Sequence, residues 1–219
     1  MILDTSSDES VTKAAESLKN VTFYGVVNNA GTGIAHGTNG REIMNTNVLG
    51  VKRVCEAFIP LLDKACGRIV QVGSGLGVDW ISKQPEGSED AKTLTKWSTT
   101  WSEINAIVEK FRDLPGDFPA YSCSKACLTN YTMQIAQQYP NLKINVCSPG
   151  FIETNMTKGI QYPGMTTKTP YEGTFSLWHL LFSNLKGNGW YYGFDCLRKP
   201  IHYIGYEGEF EGYPDDPKF

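Results

Sequence analysis

The chain has 219 residues, 41% hydrophobic and 20% charged, with a formal net charge of -3. That is enough apolar material for one well-buried domain, and a slightly acidic balance with no basic stripe argues against nucleic acid and for a small-molecule partner. No stretch approaches the ~18–20 unbroken apolar residues of a membrane span, and the opening MILDTSSDES lacks the charged and apolar regions of a signal peptide. A soluble, cytoplasmic protein without a membrane partner is expected. Six cysteines without a secretory signal point to reduced thiols. The three histidines, His36, His179 and His202, complete no ligand spacing with them, so no metal is expected.

Val21 to Val27 and Arg68 to Gly73 are short apolar runs that end in small or polar residues, as strands do. Between them Met44, Val48, Val51, Cys55, Phe58 and Leu62 recur at helical spacing. The segment Asp79 to Pro119 is polar but carries the periodic run Trp101, Ile104, Ile107, Val108 and Phe111, so it reads as an inserted helical excursion. A helix from about Ala120 to Gln138 leads into a strand from Leu142 to Cys147. A further helix from Pro170, with Thr169 as its cap, leads into a strand from Trp190 to Tyr192. Alternating strands and helices imply an α/β fold, with a mostly parallel sheet and helices on its faces. Residues 1–200 form the domain, with 79–119 inserted, and residues 201–219 form an acidic, aromatic tail.

Tyr121 and Lys125 stand four apart in AYSCSKA and share one helical face. A phenol has a pKa of about 10, and a neighbouring ammonium at ~4 Å would lower it by an amount useful to catalysis. Tyr139 and Lys143 have the same spacing, but Pro140 breaks the helix between them. Ligands of an open parallel sheet lie outside the carboxyl ends of its strands. There the sequence places NNAG (Asn28 to Gly31), GSGLG (Gly73 to Gly77) and SPGFIET (Ser148 to Thr154). GSGLG is not a dinucleotide fingerprint, because Val78 stands where the last glycine should be and no clear helix opens at once. Val72 and Leu76 occupy the glycine positions of a nucleophile elbow, which argues against a serine hydrolase at Ser74.

These motifs, in this order, resemble the short-chain dehydrogenase/reductase family from residue 3 to about residue 194. NNAG matches the motif after the family's fourth strand, Asn47 its helix asparagine and Ser74 its catalytic serine. Tyr121 and Lys125 match its YxxxK pair, and Pro149, Gly150 and Thr154 its PGxxxT. The 46 residues between Ser74 and Tyr121, and the late helix TPYEGTFSLWHLLF, are similar to the monomeric carbonyl reductases.

The resemblance implies a Rossmann-like sheet and a nicotinamide-dependent oxidoreductase that reduces a ketone or aldehyde carbonyl as a monomer. The implied catalytic residues are Asn47, Ser74, Tyr121 and Lys125. The implied cofactor contacts are Asp4, Asn28, Ala30, Gly31, Tyr121, Lys125, Pro149, Gly150, Ile152 and Thr154. NADP is the implied cofactor, with NAD left open. Trp80, Trp97, Trp101 and Phe151 are candidates for an apolar wall around an aromatic or bulky carbonyl substrate, with burial in the core the expected fate of at least half of them. The family's opening TGxxxGxG is not found. LDTSSDESV instead resembles the end of the third strand, with Asp4 meeting the adenine, so the first two strand-helix units are expected to be absent and activity impaired. The alternative is an inactive, shortened form that serves as a binding or interaction protein.

Overall fold

A computed structural model describes residues 1–34, 38–114, 117–160 and 166–217. His36, Pro115, Gly116 and the last two residues of the tail lie outside the described residues. Four strands, β1 (Gly25–Asn28), β2 (Arg68–Val72), β3 (Lys143–Cys147) and β4 (Tyr191–Tyr192), form one sheet in the order β1-β2-β3-β4. All three pairings are parallel, with Asn28 opposite Gln71 and Val72 opposite Cys147. The carboxyl ends of the strands therefore meet at one edge of the sheet, where NNAG, GSGLG and SPGFIET follow them.

The helices are α1 (Asp8–Ser17), α2 (Gly40–Met44), α3 (Val51–Phe58), α4 (Gly75–Ser82), α5 (Glu89–Thr95), α6 (Trp101–Phe111), α7 (Asp117–Gln138), α8 (Pro170–Gly173) and α9 (Phe175–Phe182). A π-helical turn, Asn45–Gly50, joins α2 to α3, so the predicted helix after β1 is continuous but changes pitch in the middle. Side chains alternate across the sheet with the period of two that a strand imposes. Ile69 and Ile144 enter the core shared with α3 and α7, while Val70 and Cys147 enter the core shared with α9. Val51, Cys55 and Leu128 join the first, and Leu180 and Tyr192 the second.

Three expectations change. GSGLG opens a helix at once: Ser74 is the N-cap of α4, and its Oγ accepts the Leu76 amide at 3.2 Å. Four residues of the expected insertion, Asp79 to Ser82, thereby belong to a helix that starts before it. The opening residues form no strand. Asp4 lies in a turn before α1, which Ser7 caps, and Val21 to Tyr24 contribute only an isolated bridge at Phe23 before β1 begins. The cap at Thr169 is as expected, with a reciprocal bond from Glu172 and Pro170 in the first turn. No helix among the described residues is long and apolar enough to cross a membrane.

Candidate active site

Tyr121 and Lys125 lie one turn apart on α7, both nearly buried. The partner surface that places Ser74 against them is made by a glycine. A β-carbon on Gly77 would stand 2.7 Å from both the Ala126 amide nitrogen and the Lys125 carbonyl carbon. Helix α4 thus packs backbone against backbone on α7, a distance that only glycine permits. This brings the Ser74 hydroxyl up to the Tyr121 phenol, close enough to pull the phenol's pKa down. Ser74 then has two duties, since its oxygen caps α4 and its hydroxyl stands beside the tyrosine.

Burial pushes the Tyr121 phenol up to about 12, against a smaller downward pull from the Ser74 hydrogen bond. The expected lowering by Lys125 does not occur in this geometry. The Lys125 Nζ donates to the Val72 carbonyl at 2.8 Å and stands 5.5 Å from the centroid of the Tyr121 ring, so desolvation of the phenol outweighs the ammonium's field. Burial also lowers Lys125 to about 8, with only a small opposing effect from Cys147.

Asn47 is fully buried in the π-helical turn. Such turns carry an extra residue per turn and redirect a side chain. Its Oδ1 accepts the Thr32 amide at 2.9 Å, and its Nδ2 donates to the Thr32 carbonyl and to Ser124 Oγ, each at 3.0 Å. Ser124 Oγ in turn donates to the Tyr121 carbonyl at 2.7 Å. Asn47 therefore ties the NNAG loop to the helix that carries the tyrosine, rather than bonding within its own helix. Beside it, a β-carbon on Gly31 would stand 3.4 Å from Asn47 Oδ1 and 3.7 Å from Lys125 Nζ. The space that a side chain would fill faces both polar groups.

The other expected cofactor residues divide. Ala30, exposed, and Gly31 line the crevice, while the buried Asn28 turns inward and donates from Nδ2 to Cys55 Sγ at 3.4 Å. Gly150 has φ +94°, and Ile152 pairs with Lys168, so Pro149 to Thr154 forms a braced loop past β3 with Thr154 exposed. Asp4 is exposed, and hydrogen bonds from the Ser6 hydroxyl and amide hold its carboxyl below the usual range. Trp80 is not a pocket wall. It is buried edge-on against Phe111, and Trp97 is buried near Met133 and Val146. Trp101 packs on Tyr131.

Sequence reasoning missed Gly77, Thr32, Ser124 and Ser148. Ser148 Oγ accepts the Gly75 amide at 3.2 Å and the Gly150 amide at 3.5 Å, which joins two of the three strand-end loops. Among the described residues no group of three potential ligands could hold a metal ion. Gly31 leaves its side-chain position free beside the buried Lys125 ammonium and Asn47 amide, and this polar, side-chain-free spot fits a nicotinamide ribose.

Known proteins resemble this chain in sequence and in fold. Residues 112–163, which include the Tyr121 and Lys125 pair, match the model of the family described as short chain dehydrogenase. The chain is 31% identical over 193 residues to (+)-neomenthol dehydrogenase of Arabidopsis thaliana, an alignment covering 70% of this chain and 64% of the relative. It is 34% identical over 134 residues to (+)-neomenthol dehydrogenase of Capsicum annuum, covering 53% and 40%. The structure of salutaridine reductase from Papaver somniferum superposes with a TM-score of 0.70 at 23% identity, covering 87% of this chain and 80% of that one. NADPH-bound carbonyl reductase from chicken fatty liver superposes at 0.63 and 22%, covering 88% and 73%. The structures share the fold, a parallel sheet with helices on its faces. The chain belongs to the short-chain dehydrogenase family, and it spans between 40% and 64% of the length of these two curated relatives.

The burial of Lys125 predicts a pH signature. Its folded pKa of about 8 lies below the unfolded value of 10.5, so between these values the unfolded chain holds a proton that the folded chain does not. Stability due to this residue therefore rises with pH across that window. Relative to Lys125→Met, the parent should gain about 3 kcal/mol between about pH 7 and about pH 11, by urea denaturation of both proteins. Parallel pH profiles would show that Lys125 keeps its charge at ordinary cost.

Proposed function

We propose that this chain carries the catalytic residues of an NAD(P)-dependent oxidoreductase that reduces a ketone or aldehyde carbonyl to an alcohol. The observation that carries the reading is the Ser74 hydroxyl set close enough to the Tyr121 phenol to pull its pKa down, with Lys125, Asn47 and the open face of Gly31 beside them. Ser74 orients the carbonyl oxygen and stabilises charge that develops on it. Tyr121, protonated at neutral pH, gives its proton to that oxygen. When bound, the reduced nicotinamide supplies the hydride for the carbonyl carbon. Lys125 holds the ribose hydroxyls and, with a pKa of about 8, returns a proton to the phenolate near neutral pH. Asn47 and Thr32 support a water relay behind it.

Pro149 to Thr154, with Ala30 and Gly31, would hold the nicotinamide end, and Asp4 the adenine end. NADP is the preferred cofactor on the strength of the NADPH-bound carbonyl reductase, although a similar 3-alpha-hydroxysteroid dehydrogenase structure holds NADH. The names of the neomenthol and salutaridine relatives favour cyclic ketones of terpenoid or alkaloid type. A second reading, a binding protein that keeps the catalytic residues, is favoured by one feature. Tyr171, Phe175, Trp178 and Phe182 form an exposed aromatic stripe along α8 and α9. That reading predicts no saturable binding of NADPH.

Tyr121→Phe should lower turnover by roughly 10²–10⁴-fold while NADPH affinity stays within about twofold, because only the transferable proton is lost. A variant that retains a third or more of the parental rate would remove Tyr121 from the chemistry.

The packing of α5 and α6 on α7 supports a monomer, because that helix is covered from within the same chain. A monomer is expected by light scattering at micromolar concentration. A defined tetramer would contradict it.

A further inference from the structure

The tail is fastened to the body at a point the active site does not use. The Asp216 carboxylate gathers donors from three parts of the chain: Arg198 Nη2 at 2.5 Å, Trp97 Nε1 at 3.0 Å and the Tyr213 amide at 3.0 Å. Arg198 is only 4% exposed, and its guanidinium lies 3.8 Å from the centroid of the Trp190 ring and 5.4 Å from that of Phe210. Trp97 comes from the inserted segment, Arg198 follows β4, and Asp216 lies in the tail. The chain from 198 to 216 is thus a loop closed at one point. Lys199 Nζ braces it by donating to the Gly208 carbonyl at 2.7 Å, and the Tyr213 hydroxyl accepts the Ile201 amide at 2.8 Å. A buried guanidinium is costly to leave without its carboxylate, so the closure is firm.

This loop turns toward the site. Its tip carries Tyr203, Ile204 and Tyr206, all exposed. Ile204 Cδ1 lies 3.9 Å from where a β-carbon on Gly75 would stand, and the Tyr191 hydroxyl 4.0 Å from the same point. Gly75 directly follows Ser74. An apolar side chain is therefore held against the residue that follows Ser74, on the carbonyl-binding end of the sheet.

We infer that Asp216 is a specificity-positioning residue: its clasp with Arg198 and Trp97 holds Ile204 as the wall against which the body of a bulky ketone packs. The inference rests on the reading of Ser74 and Tyr121 as the carbonyl site. A small ketone does not reach the wall and should not feel it.

The test compares the full chain with Asp216→Asn, which removes the charge and keeps the shape, and Ile204→Ala, which trims the wall and leaves the clasp. Hydrogen exchange over residues 199–210 should quicken in Asp216→Asn and not in Ile204→Ala. Both variants should raise KM for 4-isopropylcyclohexanone about tenfold and leave kcat/KM for acetone within about twofold, the discrimination a few lost methylene contacts provide. Unchanged exchange in Asp216→Asn, or equal losses for both ketones, overturns the inference. If the parent reduces neither ketone, the oxidoreductase reading fails separately. Binding of 4-isopropylcyclohexanone, followed by tryptophan fluorescence, then decides the clasp: weaker binding in both variants supports it, and equal affinity in all three proteins overturns it.

Discussion

The close approach of α4 to α7 at Gly77 governs the rest of the site. Two helices ordinarily pack with 8–10 Å between axes, spaced by their side chains. Here one side contributes no side chain, and the backbone of Lys125 and Ala126 fills the space where a β-carbon would be. The approach sets where α4 begins relative to α7, and so where its N-cap hydroxyl falls. Ser74 meets Tyr121 because both are fixed to rigid helices whose separation has no slack. Precision of this kind is what an orientation-dependent reaction requires, since a displacement of about 1 Å can cost 10²-fold in rate.

A second layer of bonds fixes the loops to that helix pair. Asn47 binds both polar groups of the Thr32 backbone and reaches Ser124 on α7. Ser148 binds the amides of Gly75 and Gly150. Asn47 thereby ties the first strand-end loop to α7, Lys125 ties the end of β2 to it, and Ser148 ties the second loop to the third. The electrostatic result is unusual for an ordinary surface cleft: a lysine easily deprotonated and a tyrosine firmly protonated stand side by side, both through desolvation. Such a pair stores a proton on the phenol and has a neighbour able to exchange protons near neutral pH.

Much of this was legible in the sequence, because spacing and strand-end position carry physical meaning. Tyr121 and Lys125 are neighbours on one face because a helix repeats every 3.6 residues, and the strand-end motifs converge because all strands of the sheet are parallel. The helix after Ser74 was hidden by its own composition. Three glycines in GSGLG read as a loop, although a serine before a hydrophobic Leu-Gly-Val-Asp-Trp run is also a capping signal. The π-helical turn at Asn47 has no comparable signal, since the apolar period continues through it. Trp80 and Trp97 appeared as pocket walls in a polar segment, yet α6 and the tail supply the partners that bury them. The rise of the Tyr121 pKa was illegible for a related reason. Spacing gives the distance to a charge but not the water excluded by packing.

The most direct test of this account replaces the one atom it forbids. Gly77→Ala places a methyl group against the backbone of α7 and must push α4 outward, whereas Lys125, Asn47 and Gly31 keep their places. With circular dichroism confirming an unchanged fold, carbonyl turnover should fall by about tenfold or more while NADPH affinity stays within about twofold, because only the Ser74 to Tyr121 register is disturbed. Parental turnover in the folded variant would contradict the claim that this contact sets the geometry of the site.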